Sequence, residues 1–142
     1  MKNNYEFRKA GLADLAKIRQ ILQENNRGSA EEALKLLNEK GLKTEPSLFM
    51  FNCDGQTAGL LYYERCGGHL LQIDWYLLDE YKHRNLGTVM TRTMAEYVNR
   101  KGYDCLITFP MNDLVKMTIA RKLGFERIDC PLPQIAYLRK RA

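Results

Sequence analysis

The residues from Asp79 to Thr88 read Asp-Glu-Tyr-Lys-His-Arg-Asn-Leu-Gly-Thr and lie between an apolar run, Leu70 to Leu78, and a stretch of helical periodicity that starts near Asn85. That arrangement suits the capture of an anion. A helix opens with backbone amides that have no partner inside the helix, and its dipole adds partial positive charge at the same end. Lys82, His83 and Arg84 bring cationic side chains to that place. The expected guest is a pyrophosphate, held by loop and helix amides together.

Composition narrows the classes of function. The chain has 142 residues, enough for one domain with one sizeable core, and we expect a single domain over residues 1–142. Its 45% hydrophobic and 27% charged content is that of an ordinary globular protein, with no apolar run long enough to span a bilayer. No apolar signal core follows Met1, so the expected location is cytoplasmic, without membrane partners. Cys53, Cys66, Cys105 and Cys130 show no metal or redox spacing and read as free thiols; with only His69 and His83 beside them, no metal is expected. A formal net charge of +5 favours anionic partners without choosing among nucleotide, coenzyme and nucleic acid. Nucleic acid is disfavoured because the tyrosines do not interleave with Lys and Arg on one exposed stripe.

The elements that position these residues follow from periodicity. Tyr5 to Ala10 alternates as a half-buried strand does. Leu12, Leu15, Ile18 and Leu22 form one helical stripe and Ala30, Leu34 and Leu37 a second. The break between them is Asn25-Asn26-Arg27-Gly28-Ser29, with Ser29 and Glu32 in capping-box relation and Gly41 as the helix stop. From Pro46 the period shortens: Ser47 to Cys53, Gln56 to Glu64 and His69 to Leu78 read as an antiparallel meander, turned by Asp54-Gly55 and Gly67-Gly68. Leu86, Val89, Met90, Met94, Tyr97 and Val98 mark a helix ending at Lys101-Gly102. Tyr103 to Phe109 reads as a strand buried on both faces and parallel to the meander, because a helix intervenes. A last helix over Asp113 to Leu123, closed by Gly124, precedes strands at Phe125 to Ile128 and Ile135 to Arg139. The fold class is mixed α/β of the α+β kind, a mostly antiparallel central sheet flanked by helices.

This order resembles that of the GNAT superfamily of acyl-CoA-dependent N-acetyltransferases over essentially the whole chain. Lys82-His83-Arg84-Asn85-Leu86-Gly87 stands where that family has Gln/Arg-x-x-Gly-x-Gly/Ala; Lys82 keeps a cation, and Asn85 is the non-glycine residue best suited to left-handed geometry. Arg121-Lys122-Leu123-Gly124-Phe125 resembles the family's closing of its last core helix. Leu77-Leu78-Asp79-Glu80-Tyr81 resembles its approach to the cradle, and Gln56-Thr57-Ala58-Gly59 its glycine-marked third strand.

The resemblance implies acetyl-CoA or CoA as co-substrate and an amine-bearing small molecule or peptide as acceptor, with a homodimer as an admissible assembly. It implies a splay between the strand ending at Leu78 and the one starting at Tyr103, with main-chain groups at Leu77 and Leu78 pairing with the pantetheine arm. Lys82, His83, Arg84, Asn85, Leu86, Gly87 and Thr88 would hold the pyrophosphate, and Asn112 or Asp113 would touch the coenzyme arm. Asp74 or Glu64 would be the base. The family's usual proton-donating Tyr falls on Ala120 here, so the donor is water, Tyr76, Tyr62 or Tyr81. The alternative is a GNAT-fold protein that binds acyl-CoA without transferring the acyl group.

Overall fold

The computed structural model describes residues 4–27, 30–39 and 47–141. Its elements run β1 (Tyr5–Lys9), α1 (Leu15–Glu24), α2 (Ala30–Asn38), β2 (Leu48–Cys53), β3 (Gln56–Arg65), β4 (Leu70–Leu77), α3 (Leu86–Arg100), β5 (Asp104–Pro110), α4 (Leu114–Lys122), β6 (Glu126–Ile128) and β7 (Gln134–Arg139). Hydrogen bonding orders the strands β1-β2-β3-β4-β5-β7-β6. The β1/β2, β2/β3, β5/β7 and β6/β7 pairs are antiparallel, and β4/β5 is parallel, as the intervening helix requires. Contacts cluster the chain into two compact units. One comprises the described residues through Tyr63 together with Trp75–Leu86; the other comprises Glu64–Asp74 and the chain from Gly87 onward.

In the first unit the Asp54-Gly55 turn has φ of +51° and +83°, the mirror-turn geometry that matches the twist of a two-residue hairpin. Met50, Phe51, Leu60, Leu61 and Tyr63 are buried on its two strands, with Ile18, Ile21 and Leu22 of α1. Gly59 is required by close approach: a Cβ there would collide with the Tyr76 carbonyl oxygen and stand 3.1–3.2 Å from Leu77 atoms. The Leu78 amide donates to the Ala58 carbonyl at 2.8 Å, fixing the end of β4 against β3.

In the second unit β4 and β5 are paired in register from Leu70↔Asp104 to Gln72↔Leu106. Beyond that ladder Gln72 Nε2 still reaches Thr108 Oγ1 at 2.8 Å. Met90, Met94, Ala95 and Val98 of α3 are buried, as are Cys105, Ile107 and Phe109 of β5. Asp113 caps α4, its Oδ1 accepting from the Lys116 amide at 3.1 Å, and Gly124 closes that helix at φ +84°.

Several expectations change at this level. Leu12 is 72% exposed because it lies in a 3-10 turn ahead of α1, and Ile21 takes its place on the buried stripe. Among the α2 residues whose burial is described, Ala33 is buried, while Leu34 is 41% exposed. β5 alternates instead of being buried on both faces: Asp104, Leu106 and Thr108 are only half-buried. Tyr97 is half-buried too, with the Lys101 ammonium 5.5 Å from its ring centre. The Ser29–Glu32 capping box, the Gly41 stop and the change of period at Pro46 rest on residues outside those described.

Candidate functional site

β4 ends in a 3-10 turn, Asp79–Tyr81, that leads through Lys82–Asn85 into α3. Asn85 has φ +61°, the left-handed geometry expected of it, and His83 shares that geometry at +66°. A side chain of ordinary type resists such values, whereas Asn satisfies them locally. With His83 and Asn85 turned this way, the backbone enters α3 at Leu86, and the opening amides of the helix, including Leu86, Gly87 and Thr88, lack partners within it. This is the strand-loop-helix shape of an anion cradle.

The loop's side chains differ from a simple basic patch. Lys82 Nζ is 2.7 Å from Asp79 Oδ1, a water-screened ion pair within the loop. Asp79 and Glu80 together cancel Lys82 and Arg84 in formal charge. Formal charge over these four residues is therefore balanced, and what sets the loop apart is the helix-opening amides and dipole that follow it. His83, Arg84 and Asn85 are exposed and Leu86 is buried.

Arg84 also lines a pocket of about 290 Å³ with Cys53, Asp54, Gln56, Tyr81 and Leu86. The Arg84 guanidinium lies 5.4 Å from the Tyr81 ring centre, and the Tyr81 hydroxyl is 3.2 Å from Gln56 Oε1. Burial pushes the Cys53 thiol up, and Asp54 adds to this against the pull of Arg84, so Cys53 is no activated thiolate.

At the end of β4, two of the main-chain groups expected to meet the coenzyme already have partners. Leu77 carbonyl accepts from Asn25 Nδ2 at 2.9 Å, and the Leu78 amide is held by Ala58. Asn25 follows α1 directly, and its side chain also donates to the Ile21 carbonyl at 2.7 Å. Along β4, Leu71, Ile73 and Trp75 are buried, while Gln72, Asp74 and Tyr76 are half-buried on the opposite face. Tyr76 Oη receives Arg27 Nη1 at 2.5 Å, and its ring stacks with that of Tyr62 at 6.4 Å between centres. Neither Asn25 nor Arg27 was legible as part of a site. Their residue types signal a helix break, and what they touch lies about fifty positions away in sequence.

The two carboxylates differ. Asp74 Oδ1 is 3.2 Å from Lys116 Nζ, with both side chains mostly covered. Glu64 is exposed near the end of β3. On the α4 side Asp113 is engaged as a helix cap, and exposed Asn112 accepts the Leu114 amide on its carbonyl at 3.1 Å. Ala120 is fully buried, and its carbonyl accepts from the Phe125 amide at 3.0 Å where α4 closes. No group of His, Cys, Asp and Glu suited to a metal occurs among the described residues.

No family model and no characterised protein matches the sequence. Solved structures do match its fold. An N-acetyltransferase from Staphylococcus aureus Mu50 is 14% identical with a TM-score of 0.79, covering 98% of this chain and 99% of its own. A GNAT-family acetyltransferase from Bacillus anthracis is 12% identical at TM-score 0.75, over 96% and 95%. RimL, an α-N-acetyltransferase of ribosomal protein L7/L12 solved with coenzyme A, is 14% identical at TM-score 0.77, over 96% and 93%. The chain thus has the fold of the GNAT N-acetyltransferases.

Proposed function

We propose that this protein transfers an acetyl group from acetyl-CoA to a primary amine by direct attack of the amine on the thioester. The observation that carries this reading is the left-handed pair His83 and Asn85 opening α3, in a fold shared with N-acetyltransferases. Loop and helix amides from Lys82 to Thr88 bind the pyrophosphate, with Lys82 exchanging Asp79 for a phosphate oxygen. Main-chain groups at the end of β4 accept the pantetheine arm, using the second lone pair of the Leu77 carbonyl, and an amide there polarises the thioester carbonyl. Asn112 or Asp113 meets the coenzyme arm; the Asp113 carboxylate already caps α4.

Acetyl-CoA supplies an activated acyl group on a thiolate leaving group. The protein's share is then two proton transfers. Asp74 is the better-placed base of the two carboxylates, since Glu64 is exposed; it works once Lys116 yields to the incoming ammonium. Tyr76 is the proton donor to sulfur. The acceptor is an amine-bearing small molecule or peptide, and free thiols at all four cysteines suit a reducing compartment such as the cytosol.

The test is thermal unfolding with CoA. At about a hundred times its dissociation constant the ligand should add roughly 2.7 kcal/mol of stability. Gly87→Glu, which puts a side chain and a negative charge among the cradle amides, should remove that gain. Equal responses from the wild type and Gly87→Glu would overturn the assignment of the loop. The buried Ala120 favours a second reading, CoA binding without transfer. Stabilisation by CoA with no acetyl-CoA consumption across amine classes would select it.

A further inference from the structure

The turn leaving α1 grips the end of β4 at two successive residues. Asn25 holds the Leu77 carbonyl at 2.9 Å, and two residues later Arg27 Nη1 reaches Tyr76 Oη at 2.5 Å. The same guanidinium lies 5.4 Å from the centre of the Tyr76 ring, which stacks at 27° on Tyr62. Glu32 Oε2 stands 3.8 Å from Arg27 Nε, with both side chains about half exposed. A hydrogen bond, a cation–π contact and a ring stack together leave the phenol little rotational freedom.

This contact has a direction. A guanidinium has donors only, so the phenol oxygen accepts and its own proton must be directed elsewhere. It also has a charge. Handing a phenolic proton to a thiolate runs uphill, since a phenol ordinarily ionises near 10 and a thiol near 8.5, roughly a thirtyfold handicap. A cation in hydrogen-bond contact with the phenol oxygen favours the phenolate and offsets that handicap.

We propose that Arg27 is a positioning residue for acetyl transfer: it turns the Tyr76 hydroxyl proton away from the α1 exit and stabilises the phenolate left when that proton moves to the departing thiolate. The inference rests on the acetyltransferase reading above. As the amine nitrogen bonds to the carbonyl carbon, the carbon–sulfur bond breaks and its electron pair goes to sulfur. Sulfur takes the Tyr76 proton; the nitrogen, which gave one proton to Asp74 before attack, gives its second to the phenolate, which restores Tyr76. Arg27 stays charged throughout: burial pulls its guanidinium down, but Tyr76, Tyr62 and Glu32 together hold it above its ordinary value.

The decisive experiment titrates Tyr76 by NMR with carbon-13 at its ring Cζ, assigned by its loss in Tyr76→Phe. Arg27→Gln, which keeps a donor and removes the charge, should move the ionisation of Tyr76 up by about one pH unit, a tenfold change. Arg27→Lys, which keeps the charge, should restore most of it. In turnover with an amine that supports acetyl-CoA consumption, Arg27→Gln should lower kcat about tenfold and move its alkaline limb upward, with KM for acetyl-CoA unchanged. In a Tyr76→Phe background the same substitution should change nothing further. An unmoved Tyr76 titration in Arg27→Gln overturns the proposal, as does an equal loss of kcat in both backgrounds. The titration is run without ligand, so its failure is separable from failure of CoA to stabilise the protein, which would instead overturn the acetyltransferase reading.

Discussion

Asn85 shows how much one side chain can decide. Its φ of +61° lies where an L-residue with a Cβ ordinarily loses about 1–2 kcal/mol, and Asn is among the few that visit it routinely. Asn85→Gly should therefore leave stability and CoA affinity unchanged or slightly improved. Asn85→Val, branched at Cβ, should destabilise the fold by at least about 1 kcal/mol and weaken CoA binding, checked by thermal unfolding and calorimetry. Full CoA affinity in Asn85→Val would show that the loop's left-handed turn does not matter to the ligand. This residue was legible in the sequence because its type and its place before a helix coincide. His83, equally left-handed, was not, since nothing in a basic run marks which member turns. Arg27 and Asn25 were illegible for a different reason. Their roles depend on which strand end folds against them, and local spacing carries no record of that.

Among the elements, periodicity located the strands and helices because burial imposes it, and it erred where burial is partial. Leu12 and Leu34 have the apolar type of a core residue but lie off the covered face, and β5 alternates despite a nearly continuous apolar sequence. The join between β1 and α1 adds a contact that no pattern announces. Arg8 forks onto Asp14, Nη1 to Oδ2 at 2.9 Å and Nη2 to Oδ1 at 2.6 Å, and the Gly11 amide donates to the same carboxylate. The Arg8 hydrogen bonds hold the Asp14 carboxyl below its ordinary value of 3.8, against the opposing effect of burial. Because the folded value is the depressed one, the stabilisation is complete above pH 3.8 and is lost as pH falls through the folded value. Arg8 is 40% exposed, so water screens the pair and its worth is at most about 1 kcal/mol. Asp14→Asn should cost that much in urea unfolding near neutrality, and the gap from wild type should close below pH 3.8. A constant gap at all pH values would mean that packing, not charge, accounts for the loss.

Across the whole molecule the four thiols report on burial. Cys105 is fully covered and its thiol is pushed up to about 12, chiefly by desolvation. Cys66 is exposed but also raised, by partial desolvation and by Glu64, against a lowering contact with Gln72. Maleimide labelling followed by peptide mass analysis should therefore modify Cys66 in the native protein, slowly at neutral pH, and Cys105 only at the rate of unfolding. Early modification of Cys105 would contradict its place in the core. Spread over the same molecule are turns whose backbone is the mirror image of the ordinary one, and the Asp54-Gly55 hairpin is anchored by the Asp54 amide and carboxylate, both bonded to Asn4. At φ +83° Gly55 occupies the conformation natural to an amino acid of the opposite hand. In a chemically synthesised chain, D-alanine at that position would be accommodated and would rigidify the unfolded chain, whereas L-alanine would be strained there, so the hairpin discriminates between enantiomers by backbone geometry alone.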